Sequence, residues 1–327
     1  MVAGISKHQQ IVQGVINSID EGVLKEGDML PSVNTMVEEL GFARKTIVKA
    51  YTALKERGLI EAKNRRGYFV DNTATNQTIK IMLMMYAFGY VQRLFFETFQ
   101  QAVGKNVQID TFFHHNNPKV FRTLIMDSLG KYGLYIIAPI HKSSAREELK
   151  LIPANRLLLI DRYENLGSKY SIVAQRFADP VYRILQGLKE RINDFNRMVL
   201  FYREDKDYPS GTAKAFRRFT NEQGAIKARV ERFYMPGSLR RQTVYYTIHD
   251  SDLWAILKDC QEKGWELGKD IGIISQDDTP VKQLIMGGIT CITTDFQHIA
   301  KRAAEFLHHR KKIQETVPTR LIRRQSL

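Results

Sequence analysis

Residues 27–70 read GDMLPSVNTMVEELGFARKTIVKAYTALKERGLIEAKNRRGYFV, and their pattern determines the N-terminal fold. Apolar residues spaced three and four apart are typical of amphipathic helices, and the short apolar runs near the end flank a basic turn that contains glycine. With the segment that precedes it, this stretch predicts three helices and two strands, at 8–21, 33–40, 43–57, 59–62 and 68–70. Three small helices and a basic hairpin are therefore expected.

The charge of the chain is unevenly distributed. Among 327 residues, 49 Lys+Arg and 35 Asp+Glu give a formal net charge of +14. Residues 1–72 contribute only +1, yet 42–67 hold a local excess of six positive charges. Such a concentration favours a polyanionic partner, although a charge run can also be a solvated face. The remaining +13 lies beyond residue 72 and has no assigned role at this point.

Composition limits the class of protein. Hydrophobic residues at 43% and charged residues at 26% are ordinary for a globular chain. No stretch approaches twenty apolar residues, since the longest, 79–88, has about ten. The N-terminus lacks an apolar signal segment, and two cysteines, Cys260 and Cys291, do not indicate a disulfide framework. A cytoplasmic protein without a membrane span is expected.

The pattern changes after the polar segment 71–78, DNTATNQT, which has the composition of a linker. We therefore expect two domains, 1–74 and 75–327. Short apolar runs predict strands at 79–85, 107–112, 134–138, 157–160, 198–201, 230–233, 244–248, 271–274 and 289–292. Helix-length segments lie between most of them, at 90–103, 119–132, 180–195, 213–223, 252–263 and 297–312. This alternation predicts an α/β domain of parallel sheets, and its length suits two lobes.

The ordered features of 27–70 resemble the winged helix-turn-helix of the GntR family of bacterial transcription regulators. They are the Leu-Pro-Ser turn, the basic helix start Arg-Lys-Thr, the Gly-Leu-Ile strand and the Gly-Tyr-Phe-Val strand. The resemblance implies a recognition helix at 43–57, a wing tip at 64–67 and double-stranded operator DNA as partner. The DNA-binding candidates are Ser32, Asn34, Arg44, Lys45, Thr46, Lys49, Arg65, Arg66 and Gly67.

These candidates fit the chemistry of DNA recognition. Arg44 and Lys45 at the helix start can reach base edges or phosphates, whereas Thr46 and Lys49 are expected at phosphates. Arg65 and Arg66 would bring the wing tip to the backbone or the minor groove, and Gly67 would permit that turn. Two departures weaken the match: Asn34 stands where the family usually has Arg, and Ala43 replaces a common Ser or Thr.

The remainder of the chain resembles the effector domain of the LacI type, which is similar to periplasmic sugar-binding proteins. The matching segments are LLIDR at 158–162, DIGIISQDD at 270–278, ITCITT at 289–294 and PTRLIRRQS at 318–326. The resemblance implies a two-lobed, type I periplasmic-binding-protein-like domain that closes over a small ligand, usually a sugar. Residues 208–212 depart from it, since YPSGT replaces a common effector-binding Arg, and this suggests a ligand smaller or less polar than a hexose.

Ligands of open parallel sheets bind at the carboxyl ends of the strands, and the residues there are the effector-binding candidates. They are Tyr86, Phe88, His141, Arg162, Arg176, Phe177, Asp250, Asp252 and Asp277. For some residues at these strand ends a structural role is the alternative. Asp161 and Asp278 could cap turns, His141 could be a loop residue, and Tyr86 and Phe88 could be core residues.

Catalytic motifs are absent from the sequence. There is no nucleophile elbow, phosphate-binding glycine loop or Cys/His zinc pattern, and His114-His115 lacks spaced partner ligands. We therefore expect a non-enzymatic, ligand-responsive transcription regulator, a homodimeric repressor without cofactor or metal. Its effector would be a monosaccharide such as a pentose or deoxyhexose. The alternatives are a sugar-binding signalling module or a sugar-processing enzyme without specific DNA binding.

Overall fold

The computed structural model describes residues 6–56, 59–64, 66–71, 79–104, 107–140, 143–204, 208–224 and 226–327. Two expected site residues, Arg65 and His141, and residues 72–78 of the expected linker lie outside this set. The chain divides into two compact units, one of residues 1–81, 105–110 and 125–134, the other of the remaining residues. The domain bounds 1–74 and 75–327 stay a prediction. Within the described ranges, no helix is long and apolar enough to cross a membrane.

The N-terminal segment folds as three helices and a hairpin. They are α1 (Lys7–Asp20), α2 (Val33–Leu40), α3 (Arg44–Glu56), β1 (Ile60–Lys63) and β2 (Gly67–Val70). Helix α3 packs against both α1 and α2, and its buried face consists of Ile47, Ala50, Tyr51 and Leu54. These positions follow the helical period, which is why the sequence predicted the element.

Local hydrogen bonds orient these elements. The Ser32 hydroxyl accepts the Thr35 N–H at 3.1 Å and so begins α2, and the Tyr51 hydroxyl donates to the Pro31 carbonyl at 2.7 Å. Burial raises the pKa of Tyr51 to about 12, so the hydroxyl keeps its proton and remains a donor. The Leu30 N–H also donates to the Tyr68 carbonyl at 2.8 Å, next to an isolated antiparallel bridge between Met29 and Phe69 that the sequence did not predict.

The rest of the chain forms two six-stranded sheets, each of which belongs to one lobe. The first has the strand order β13-β7-β6-β5-β3-β4, and the second has the order β14-β12-β11-β10-β8-β9. Strands β13, β7, β6 and β5 of the first sheet pair in parallel, as do β12, β11, β10, β8 and β9 of the second, whereas β14 lies antiparallel to β12. The chain crosses between the lobes after β7, after β12 and after β13. Three crossings of this kind leave a cleft where the strands of both lobes end.

The first lobe contains β3 (Ile79–Met85), α4 (Tyr90–Val103), β4 (Val107–Phe113), α5 (Pro118–Ser128), β5 (Leu134–Ile137), α6 (Ser143–Lys150), β6 (Leu157–Arg162) and β7 (Ser171–Gln175). The second contains α7 (Ala178–Gly187), α8 (Lys189–Asn193), β8 (Arg197–Phe201), α9 (Ser210–Gln223), β9 (Lys227–Glu231), β10 (Thr243–Thr247), α10 (Asp250–Glu262), β11 (Ile271–Gln276), α11 (Pro280–Leu284) and β12 (Thr290–Thr294). Helix α12 (Phe296–His309) and β13 (Gln314–Val317) return to the first lobe, and β14 (Thr319–Ile322) joins the second.

The expected α/β class with two parallel-sheet lobes is confirmed, but several elements were not predicted. Strand β7 is fully buried, yet its apolar run covers only residues 172–174, and β13 and β14 are edge strands with largely exposed or half-buried side chains. The strand expected at 230–233 lies instead at Lys227–Glu231, whose side chains are mostly exposed. The helix expected at 180–195 is divided into α7 and α8 at Leu188. Strands β9, β13 and β14 thus lack a continuous buried face and carry no clear apolar pattern.

A buried histidine fixes the ends of two strands in the first lobe. His114 Nδ1 accepts the Asn116 N–H at 3.1 Å, so Nε2 carries the proton and donates to the Ala138 carbonyl at 3.1 Å. Burial, together with the charge of Arg162, lowers the pKa of His114 from 6.5 to about 4. The imidazole is therefore neutral in the folded protein at pH 7.

The lowered pKa of His114 predicts that the folded protein becomes less stable in acid. The unfolded chain takes up a proton at His114 near pH 6.5, while the folded protein does not until about pH 4. Stability is thus fully present above pH 6.5 and decreases as the pH falls, by about 2.5 kcal/mol at pH 4.5. Urea unfolding at pH 7.5 and 4.5 checks this. His114→Gln should remove that part of the decrease, whereas the exposed control His309→Gln should not; equal pH dependence in wild type and His114→Gln contradicts the prediction.

Candidate functional site

The N-terminal half of helix α3 presents a basic face to solvent. Arg44, Lys45 and Lys49 are exposed and Thr46 is half-buried, while the opposite side of the helix packs into the core. The helix begins at Arg44, so its free backbone N–H groups lie at the same end as these cations. The arrangement offers hydrogen-bond donors and positive charge to an anionic surface.

Two polar residues of α2 support this face. Arg44 donates a hydrogen bond to the Asn34 side-chain oxygen, which links the starts of the two helices. The Ser32 hydroxyl is engaged with Thr35, both with its N–H and, at 2.8 Å, with its hydroxyl. Ser32 therefore begins α2, and Asn34 positions the Arg44 guanidinium, whose other N–H groups still point outward for a partner.

The hairpin turn supplies a second basic element. Arg66 and Gly67 are exposed at the tip, where the Arg66 N–H donates to the Lys63 carbonyl at 2.9 Å. Gly67 has a φ of +108°, a conformation that favours glycine. Lys63 lies over the Phe69 ring at 5.1 Å and pairs with Glu61 at 2.7 Å. The wing thus keeps a rigid base and an exposed cationic tip.

Polar side chains from both lobes meet at the carboxyl ends of the strands. Gln175, at the end of β7, donates to the Asp161 carboxylate at 2.6 Å, and it accepts from the Thr294 hydroxyl at 2.6 Å. Thr294 ends β12 in the other lobe, so its hydrogen bond to Gln175 crosses from one lobe to the other, whereas Gln175 and Asp161 belong to the same lobe. Tyr86, half-buried after β3, lines a small cavity together with Asp161.

A buried lysine organises the second lobe's side of the cleft. Lys282 is 1% exposed, and its ammonium donates to the carbonyls of Gln276 and Asp277 at 2.7 and 2.9 Å. It also pairs with the Asp250 carboxylate at 2.7 Å. With all three donors used, Lys282 fixes the turn after β11 and the first residue of α10, as buried charges require.

Asp277 is the most perturbed carboxyl group of the cleft. Burial raises its pKa from 3.8 to about 6, and Lys282 opposes this change while the charges of Asp161 and Asp250 add to it. Asp161 and Asp277 belong to different lobes and both adopt positive φ, 64° and 59°, at the ends of their strands. The cleft therefore offers facing carboxylates that can accept hydrogen bonds from a polyhydroxyl ligand.

Other expected effector residues have different surroundings. Asp252 is 4% exposed, and its two oxygens accept from Arg203 at 2.8 Å and from the Tyr234 N–H at 3.0 Å. Both acceptors are thus used to hold neighbouring segments of the second lobe. Phe177 packs into the core of that lobe, where a Cβ at Gly211 would lie 2.8 Å from the Phe177 Cβ. A side chain at position 211 would therefore crowd the start of α7, where Phe177 and Ala178 lie.

The remaining candidates lie at the margins of the cleft. Arg176 lies over the Tyr163 ring at 4.9 Å and faces an open groove of about 360 Å³ under the loop 163–170. Phe88 is exposed and contacts Phe113, with ring centroids 6.0 Å apart. Arg162, half-buried at the end of β6, lies close enough to His114 to affect its pKa. The structure thus links Asp250 and Asp277 through Lys282 and places Tyr86 beside Asp161 in a small cavity, and the binding roles of the candidates stay predictions.

Sequence reasoning missed several residues of this cluster. Asp161 was considered only as a turn cap, while Gln175, Lys282 and Thr294 were not singled out. Gln175 and Thr294 are the last residues of their strands, so a correct prediction of β7 would have pointed to Gln175 by the same strand-end rule. No sequence signal distinguishes Lys282 from the other lysines.

The described residues contain no group of three or more His, Cys, Asp or Glu that could hold a metal ion. Cys260 and Cys291 are both buried, and burial raises their pKa values to about 11 and about 12. Thiols with such pKa values stay protonated and are weak nucleophiles.

Comparison with known proteins assigns both parts of the chain. Residues 7–70 match the family model of the bacterial regulatory proteins of the gntR family, and residues 193–327 match the periplasmic binding protein-like domain. Both resemblances seen in the sequence are confirmed.

Curated relatives match the N-terminal segment. The HTH-type transcriptional repressor YtrA of Bacillus subtilis is 30% identical over 78 residues, which are 24% of this chain and 60% of YtrA. The uncharacterized HTH-type transcriptional regulator YjiR of Escherichia coli is 32% identical over 66 residues, 20% of this chain and 14% of YjiR. The chain thus spans less than two thirds of the length of these relatives.

Solved structures match the remainder. A LacI family transcriptional regulator from Silicibacter pomeroyi has a TM-score of 0.64 at 13% identity and covers 76% of this chain and 98% of its own. A LacI family regulator from Lactobacillus casei with bound glucose has a TM-score of 0.61 at 14% identity, with coverages of 76% and 99%. At this level of identity the likeness establishes the fold.

Proposed function

We propose that this chain, which combines a gntR-family helix-turn-helix domain with a periplasmic-binding-protein-like domain, is a transcription regulator controlled by a small molecule. The observation that carries the proposal is the basic face of α3, whose cations Arg44, Lys45 and Lys49 are exposed while the other side is buried. A helix of this kind can place its first turn in the major groove, with the Arg66 wing at the backbone. The names of the matched relatives support a regulatory rather than enzymatic role.

The ligand that we propose is a neutral monosaccharide, such as a pentose or deoxyhexose. Asp161, Asp277 and Gln175 supply acceptors and a donor at the lobe ends, which suits sugar hydroxyls. The bound glucose of the L. casei regulator supports this class of ligand. Since Asp161 and Asp277 repel each other, a ligand that donates to both carboxylates stabilises closed lobes.

We propose that closure of the two lobes changes the affinity of the protein for DNA. In a homodimer the two recognition helices bind two half-sites, so a change of lobe geometry alters their spacing and the DNA affinity. We propose that the ligand releases the DNA, which makes the protein a repressor. The repressor YtrA among the relatives supports this sign.

Exposed apolar side chains of the second lobe collect around α10 and form the proposed dimer surface. They are Phe233, Met235, Trp254, Val281 and Leu284. The hydrogen bond from the Tyr234 N–H to Asp252 and the ion pair between Lys282 and Asp250 bring both flanking segments to the first turn of α10. An apolar surface of this kind is typical of an interface between subunits.

The readout of DNA is the first test. Arg44→Ala should lower the affinity ratio between a selected operator and a scrambled duplex by about 5- to 100-fold, because a base contact is lost. Lys49→Ala should weaken both duplexes equally and reduce the salt slope by about one. Fluorescence anisotropy with the full chain measures both quantities. An unchanged ratio for Arg44→Ala would show that α3 does not read the bases.

The ligand is tested by thermal shift against a panel of monosaccharides. A sugar at about 100 times its Kd adds about 2.7 kcal/mol to the folded state and should raise Tm by several degrees. Asp277→Asn should abolish the shift, while the exposed control Asp179→Asn should retain it. The response should weaken as the pH falls below about 6, where Asp277 becomes protonated and loses acceptor capacity. If no sugar of the panel raises Tm, the sugar assignment is wrong.

The dimer surface is tested by sedimentation velocity. Leu284 is 84% exposed, and Leu284→Asp places a charge where we expect a subunit contact, so the protein should become monomeric. Val120→Asp introduces the same charge at an exposed apolar position of the first lobe and should leave the dimer intact. If both variants sediment like wild type, this surface is not the interface.

A further inference from the structure

The edge of the first lobe where its strands begin is basic. Residues 308–312 read His-His-Arg-Lys-Lys, and all five are exposed, as is Lys169 in the connection that leads into β7. The connections into β6, β7 and β13 span 151–156, 163–170 and 310–313. Their single acidic residue is Glu164, which is buried and paired with Arg146. We call residues 308–312 together with Lys169 the basic edge.

Backbone and side-chain contacts hold the basic edge together. The Ile313 N–H donates to the Ser171 hydroxyl at 3.2 Å, and its carbonyl accepts the Ile172 N–H at 2.8 Å. Lys311 and Lys312 therefore lie beside the start of β7. The Gln314 amide donates to the Ser168 carbonyl at 3.3 Å, which brings the Lys169 loop to the same place.

The end of a helix accounts for only part of this charge. Cations in the last turn of a helix interact favourably with its dipole, which suits His308 and His309 at the end of α12. Lys311, Lys312 and Lys169 lie beyond that turn, so their concentration has no such explanation. Among the described residues near the end of α12, the acids Glu305 and Glu315 both pair with Arg302.

The opposite edge of the same sheet is of mixed charge. Parallel strands separate their starts from their ends, and the ends carry Asp161, near Asp277 of the other lobe, together with Arg162 and Arg176. Within this sheet, the run of exposed cations thus lies at the basic edge.

The chain also leads from the DNA-binding domain to this edge. Strand β3 runs in the same direction as β5, since the Ala138 N–H donates to the Met84 carbonyl and the Gly133 N–H to the Lys80 carbonyl. Its first residue, Ile79, is thus at the edge where the strands begin.

We infer that the basic edge binds the phosphate backbone of DNA that flanks the site read by α3. The inference rests on the proposed function and adds a second, sequence-independent contact from the effector domain. Lysine ammonium groups pair with phosphates as point charges and read no bases, so the contact adds affinity without specificity. It also gives a role to part of the positive charge beyond residue 72.

The test compares duplexes of 20 and 40 bp that share the same central sequence. Fluorescence anisotropy of the full chain between 50 and 300 mM KCl gives the slope of log K against log salt. For wild type we expect the 40-bp slope to be steeper by about two, since each neutralised phosphate adds about 0.9. The double variant Lys311→Gln/Lys312→Gln should lose this difference, and should bind the 40-bp duplex about tenfold more weakly at 100 mM KCl.

A matched control separates this effect from net charge. Lys258→Gln/Lys263→Gln removes two exposed lysines of the other lobe, one in α10 and one directly after it, and should keep the steeper 40-bp slope. Equal 40-bp slopes for wild type and Lys311→Gln/Lys312→Gln overturn the basic edge, even if the 20-bp duplex still depends on Arg44. If Arg44→Ala leaves the binding of both duplexes unchanged, the proposed function is wrong instead. The two failures are therefore distinguishable.

Discussion

Parallel strands all begin at one edge of a sheet and end at the other, and the two lobes depend on this constraint. Because every strand of the first lobe ends on the same side, residues far apart in sequence, such as Tyr86, Asp161 and Gln175, meet without any local relation between them. The same rule collects Lys169 and residues 308–312 at the starting edge. The direction of the strands thus separates the polar residues of the cleft from the basic edge.

A hydrogen bond across the cleft connects the two sheets. Thr294, the last residue of β12, donates to Gln175, which in turn donates to Asp161. A displacement of the second lobe therefore changes the hydrogen bonding of Asp161 in the first. Lys282 provides the stiff counterpart, because its three donors hold the turn at Asp277 against Asp250. A cleft with rigid polar groups and two repelling carboxylates is suited to a ligand that supplies hydrogen-bond donors.

The helical segment shows the same division between packed and free residues. Burial of Ile47, Ala50 and Leu54 leaves the other side of α3 to cations, and Asn34 then orients the guanidinium of Arg44. The Asn at position 34 departs from the family pattern in the sequence, yet in the structure it supports a neighbouring cation. Position 34 thus has no Arg to contact DNA, but its Asn side chain holds the guanidinium of Arg44.

The sequence by itself determined those helices and strands in which buried residues repeat at a regular spacing. The helix at 90–103 and the strand at 79–85 have the predicted bounds, and α3 differs by one residue at each end, because in each a buried face repeats along the chain. The strand ends also pointed to Asp277 and Tyr86, whose role in binding stays a prediction.

Only the tertiary structure decided which polar groups are partners. The bond between Thr294 and Gln175 joins residues 119 positions apart, and that between Asp252 and Arg203 joins residues 49 apart. Asp252 and Asp277 look alike in sequence, yet one is enclosed by donors and the other meets a second carboxylate. A side chain's neighbours, and so its charge state and its chemistry, depend on contacts that no local pattern contains.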